Sequence, residues 1–233
     1  IPLALNLVFL PETNLRPIPQ IRLGSLAQDH LSLMTNRVFL TFMIASSCSA
    51  GIFFSMIGFV PFEYVRIGVD TSEVGFWFML IPFGYTFGNF LTKRFVHRIG
   101  IERMSQIGGL ISMLAMSALL LPSVLGWKHP IMIAVPCFFF GFSSGFVIAN
   151  ATMGAIASAG KLGGSASGIV GAVQMGFGIF GGSLVVSVGG YEHFESGVLI
   201  LIGLAALSTL SSTLAQHFSK TVPLVEPVEQ EAS

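Results

Sequence analysis

Gln174 is the side chain of this sequence best suited to specific chemistry. It carries two N–H donors and a carbonyl acceptor, yet sits inside a long uncharged apolar run, where an amide must find partners. A ligand and an interhelical hydrogen bond would satisfy it equally, and both readings stand. Tyr85 combines a hydroxyl with a ring that stacks, and Ser143 adds a second hydroxyl. Phe54 and Phe139 offer rings at comparable depth in their own runs. These five are the candidate substrate-binding residues. Their chemistry is stacking and sparse hydrogen bonding around a small hydrophobic molecule.

Bond-breaking chemistry finds little support. All five histidines, His30, His97, His129, His193 and His217, fall in loops or at helix ends, and every Asp and Glu lies outside the apolar windows. Gly141-Phe142-Ser143-Ser144-Gly145 matches the serine-hydrolase elbow, but that motif needs a strand-to-helix turn and a histidine base. Asn150-Ala151-Thr152 is a glycosylation sequon buried where no transferase reaches it. Leu10-Pro11-Glu12-Thr13 resembles a cell-wall sorting signal without its glycine and at the wrong end. The sequence contains no metal-ligand spacing, phosphate loop or catalytic dyad, so no enzyme, cofactor or metal is expected. Cys48 and Cys137 lie in apolar runs, where a thiol behaves as a small hydrophobe.

The elements that position these side chains follow from composition. Only 9% of residues are charged, 53% are hydrophobic, and mean hydropathy is +0.82, which leaves too little polar skin for a water-soluble domain. Eleven basic and eleven acidic residues cancel, which argues against nucleic-acid binding. Six uncharged windows, 38–62, 74–92, 104–127, 131–157, 163–188 and 197–218, are each long enough to cross a bilayer. Backbone groups have no water partners in hydrocarbon, so each window is expected to be helical. The predicted fold is all-α and polytopic, in contact with the lipid bilayer. Arg16, Arg22, Arg37, Lys93, Arg94, Arg98, Arg103, Lys161 and Lys220 fall on one side, against Arg66 and Lys128 on the other. By the positive-inside rule the first side is cytoplasmic.

Aromatic residues concentrate in the first, second and fourth windows, whereas the third and sixth are aliphatic and serine-rich. The fifth is rich in glycine, and Gly84/Gly88, Gly141/Gly145, Gly164/Gly168 and Gly178/Gly182 fit the small-xxx-small pattern of membrane helix contacts. Such pairs serve static packing or a sliding surface between two access states.

Gly88-Asn89-Phe90-Leu91-Thr92-Lys93-Arg94-Phe95-Val96-His97-Arg98-Ile99-Gly100 resembles the degenerate second copy of the glycine and basic loop motif of major facilitator transporters, with Thr92 near the place of the motif's acidic residue. Ala149-Asn150-Ala151-Thr152, Gly164-Ser165-Ala166-Ser167-Gly168 and Gly171-Ala172-Val173-Gln174 look like helices ten and eleven of the Bcr/CflA branch, the bicyclomycin and chloramphenicol resistance transporters. Pro11-Glu12-Thr13 resembles the exit from their helix six. The resemblance implies helices seven to twelve of a drug:proton antiporter, a six-helix half built as a three-plus-three inverted repeat. It further implies alternating access around a central cavity bordered by the first, second, fourth and fifth spans, with the third and sixth facing lipid. Gly88, Arg94, Arg98, Gly100, Asn150, Gly164 and Gly168 are the candidate gating or conformational residues.

The expected organisation is a cut helix end at 1–12, a cytoplasmic linker at 13–37, the six-helix bundle at 38–218 and a cytoplasmic tail at 219–233. A proton carrier needs a titratable group in a shielded place within the membrane, and these windows contain no Asp or Glu, with His217 only at the end of the last. Protons are therefore expected to pass through an N-terminal half absent from this sequence. The bacterial inner membrane is the expected location. A half-size facilitator that dimerises and a non-transporting membrane scaffold are the rival readings.

Overall fold

The structure, a computed structural model, describes residues 30–126 and 129–221. The expected helix end at 1–12, most of the linker, Trp127 and nearly all of the tail lie outside the described residues. The helices are α1 (Arg37–Arg66), α2 (Thr71–Phe78), α3 (Leu80–Ile99), α4 (Ile101–Ala118), α5 (Leu121–Leu125), α6 (Ile131–Ser158), α7 (Gly163–Ser187) and α8 (Phe194–Thr221). Among the described residues there is no strand. Taken with their short extensions they make six segments long and apolar enough to cross a membrane, as the charge-free windows predict.

Two windows expected as unbroken helices are each interrupted. The second breaks at Met79, between α2 and α3. Pro82 has no N–H for the carbonyl of Phe78, four residues earlier, so the helical ladder loses a rung at that point. The third stops at Ala118 and resumes as α5, with Pro122 in its first turn, a position that tolerates proline.

Helix starts carry side-chain caps where polar residues are present. The Asn36 carboxamide oxygen accepts from Val38 N (3.0 Å) and Phe39 N (3.2 Å) to open α1, while its Nδ2 donates to the Ser158 carbonyl at 3.0 Å. One residue thereby satisfies orphan groups at the start of α1 and the end of α6. Asp70 opens α2 by accepting from the Ser72 hydroxyl (2.6 Å) and N–H (2.8 Å). These bonds hold its carboxyl below the usual value.

The packing has an internal symmetry. α1 packs on α6, α7 and α8, α6 packs on α1, α3 and α4, and α4 packs on α8. Exchanging the first three spans for the last three maps this set of contacts onto itself. The two triplets start at opposite ends of the bundle, so the relation is the expected three-plus-three inverted repeat. In the best windows of α1 and α6, 72% and 61% of residues are buried, against 17% and 22% in the second and fifth spans. α1 and α6 are thus the central pair, α4 and α8 back them, and α3 and α7 flank an open front. The basic residues Arg37, Lys93, Arg94, Arg98, Arg103, Lys161 and Lys220 gather at one end of the bundle.

Candidate functional site

The open front is built on the contact between the two central helices, where Ser49 Oγ donates to Ser144 Oγ at 3.3 Å in a buried setting. Beside this contact α1 presents Phe53 and Phe54, whose rings meet edge to face with centroids 5.8 Å apart. Phe53 also faces Tyr85 of α3 at 6.5 Å. The second of these ring contacts joins α1 to α3 near the middle of both spans. On the other flank, Phe54 lies against Gly178 of α7, where an added Cβ would stand 2.8 Å from the ring.

Gln174 of α7 reaches across to α6 and donates from Nε2 to Thr152 Oγ1 at 3.1 Å, in a partly buried position. The bond uses one of the amide's two donors. Its second N–H and its carbonyl are chemically available to a further partner. The front thus offers a row of rings running from Tyr85 through Phe53 to Phe54, with the amide on the α7 side. No formal charge lies near mid-depth, and among the described residues no group of three His, Cys, Asp or Glu could hold a metal ion.

Of the five expected binding residues, Phe54, Tyr85 and Gln174 border this front. Ser143 does not. It is fully buried, donates to the Phe140 carbonyl at 2.7 Å, and lies against Gly108 of α4 at the back. Phe139 points elsewhere as well, into the outer gap where α3 and α4 diverge from α6. Two participants escaped selection from sequence. Phe53 was legible as the neighbour of Phe54, and Thr152 lies in the Ala149–Thr152 stretch already singled out.

The conformational candidates separate by environment. Gly88 is locked, because a Cβ there would sit 2.2 Å from the Phe142 carbonyl oxygen of α6. Its neighbours Gly84, Gly141 and Gly145 are equally tight, with Cβ distances of 2.3, 2.1 and 2.6 Å to backbone of the facing helix. The α3 and α6 backbones therefore touch along two turns, a spacing that only glycine permits. Gly164 and Gly168 meet nothing within 4 Å and are open. Asn150 is buried and donates to its own helix at Phe146 O, 2.7 Å. Gly100 makes the turn between α3 and α4 at φ +89°, which other residues adopt only with strain. Arg94 and Arg98 are exposed at the basic end of α3.

At the opposite end Arg66 pairs with Glu63 at 3.0 Å and donates to the Tyr191 carbonyl. Charge is confined to the two ends of the bundle.

Residues 1–183 match the family described as the Major Facilitator Superfamily. Over 222 residues the chain is 31% identical to the bicyclomycin resistance protein homolog of Haemophilus influenzae, an alignment covering 90% of this chain and 54% of that relative. The chain spans about half the length of the relative it matches.

Proposed function

The chain belongs to the Major Facilitator Superfamily, and from that premise we propose that it forms helices seven to twelve of a Bcr/CflA-type exporter of hydrophobic or amphipathic drugs. The observation that carries this reading is the open front, where the Phe53 and Tyr85 rings lie at the α3 flank and the Phe54 ring and the Gln174 amide at the α7 flank. A flat apolar molecule would stack on the rings while the amide supplies one oriented hydrogen bond. The name of the Haemophilus relative supports the same assignment.

In this proposal the front faces an N-terminal six-helix half, and the two halves rock to expose the cavity alternately to either side. Arg94, Arg98 and the turn at Gly100 lie at the cytoplasmic closure, and the open glycines Gly164 and Gly168 face the moving partner. The spans of this half lack a carboxylate or histidine at mid-depth, so proton uptake is assigned to the N-terminal half. The membrane is the bacterial inner membrane.

The test is drug accumulation in cells expressing the complete transporter. Intracellular levels of a fluorescent amphipathic dye should fall, and collapsing the proton gradient should restore them. Unchanged dye levels would remove export from the proposal. A fall that survives the loss of the gradient would remove proton coupling.

A further inference from the structure

Two wholly apolar furrows run side by side on the outer surface of the bundle, away from the open front. The first, of about 530 Å³, is lined by Phe76, Met79, Leu80 and Phe83 on one wall and by Val135 and Phe139 of α6 on the other. The second, of about 410 Å³, lies between α4 and α6 and is lined by Ile111, Leu114, Ala118, Val135, Pro136 and Phe139. Val135 and Phe139 belong to both, so they form a single ridge with a furrow on either flank. Each is close to half exposed, at 41% and 47%.

Their place in the fold determines what can fill them. The backbone contact of Gly84 and Gly88 with α6, and of Gly141 and Gly145 with α3, closes the gap between these helices. No passage leads from the furrows to the front, so a molecule held in them is off the route of a transported drug. Both furrows lie in the half of the bilayer opposite the basic end, beside the starts of α3 and α6 and the end of α4. Walls without polar groups offer nothing to a hydrated or hydrogen-bonding ligand, but they match hydrocarbon.

We propose that this ridge and its two furrows bind one diacyl phospholipid, with one acyl chain in each furrow and Val135 and Phe139 between the chains. A headgroup partner stands at the right level. His129 is exposed and lies two residues ahead of α6, which rises about 6 Å from Ile131 to Val135. Its Nδ1 accepts from Ile131 N–H at 3.3 Å, which leaves the ring proton on Nε2 as a donor to a phosphate oxygen. The site depends on the membrane fold and is independent of the drug-export reading.

The test uses the complete transporter in vesicles of phosphatidylethanolamine and phosphatidylglycerol with a trace of phosphatidylethanolamine bearing a diazirine on one acyl chain. After illumination and digestion, adducts should concentrate at Val135, Phe139 and both furrow walls. The expected enrichment is about fivefold over the exposed Leu210 and Leu214 of α8, equivalent to ~1 kcal/mol of preference. Unlabelled diacyl phospholipid should displace the label, and single-chain lysophospholipid at equal concentration should not. Ala118→Phe, which fills the second furrow, should lower adducts in the first as well. Uniform labelling of all exposed positions, absence of adducts at Val135 and Phe139, or equal displacement by lysophospholipid would each overturn the proposal.

Discussion

Gln174 and Thr152 join the fifth span to the fourth through one side-chain hydrogen bond of 3.1 Å, across the front of α1. Interhelical bonds of this type in membranes are worth about 0.6 kcal/mol on average, and up to ~1.7. Replacing Gln174 with Leu should therefore leave abundance in the membrane nearly unchanged while altering which compounds are exported. Thr152→Val should reproduce part of that change, because the freed amide can turn to the ligand. Growth inhibition across a drug panel, with membrane abundance as control, measures both. An unchanged spectrum for Gln174→Leu would remove the residue from the binding surface.

The rings of Phe53 and Tyr85 face each other at 6.5 Å. Tyr85→Phe keeps the stacking surface and should retain export of compounds without acceptor groups. Phe53→Ala or Tyr85→Ala removes a ring contact worth about 1 kcal/mol. Apparent affinity for planar aromatic compounds should then weaken by roughly fivefold, as read from the concentration dependence of efflux.

The glycines divide into two groups with opposite expected outcomes. Gly88→Ala and Gly141→Ala place a methyl 2.2 and 2.1 Å from a facing carbonyl oxygen. Relief requires moving a helix, an overpacking cost of about 1–3 kcal/mol or more. Thermal unfolding in detergent should begin well below that of the parent protein. Gly168→Ala meets nothing within 4 Å and should leave the melting temperature unchanged, so any loss of export it causes reports on contact with the other half.

Asn36 serves two helices at once, capping α1 and donating to Ser158 O. Asn36→Ala should cost about 1 kcal/mol for the cap, plus the tie to α6. Asn36→Asp keeps the cap acceptor but cannot donate, so it should recover only part of the loss. Unfolding midpoints of the three proteins order these contributions.

At the back of the bundle Ser105 and Ser212 share a 2.9 Å hydrogen bond between α4 and α8. A double-mutant cycle with alanine at both positions should give a coupling of roughly 0.6 kcal/mol, with no change in drug spectrum.

The six spans were readable because charge is excluded from hydrocarbon: Asp70, Lys93, Lys161 and Lys220 punctuate the chain on the scale of bilayer thickness. The interruptions at Met79 and before Pro122 were missed, since a hydropathy window is blind to a missing N–H. Gln174 stood out as a lone amide in an apolar run, but its partner Thr152 did not, because pairing across two helices depends on their rotation and not on residue type. Depth alone selected Phe54 and Phe139 alike. Only the packing of α3 and α4 around α6 separates the ring at the front from the ring in the furrow.

Every extensive helix contact in this half pairs a member of the first triplet with a member of the second. Neither triplet has a core of its own. During synthesis α1 enters the bilayer long before α7 and α8, which cover two of its faces, leave the ribosome. Its Ser49 hydroxyl, which donates to Ser144 of α6 in the finished bundle, must wait in lipid or borrow a temporary neighbour, whereas Ser46 and Ser55 bond to carbonyls of α1 itself. Assembly is therefore late and concerted, because contacts between residues far apart in sequence form only after most of the chain is present. A chain stopped before Phe194 would leave the first helix without one of its principal partners.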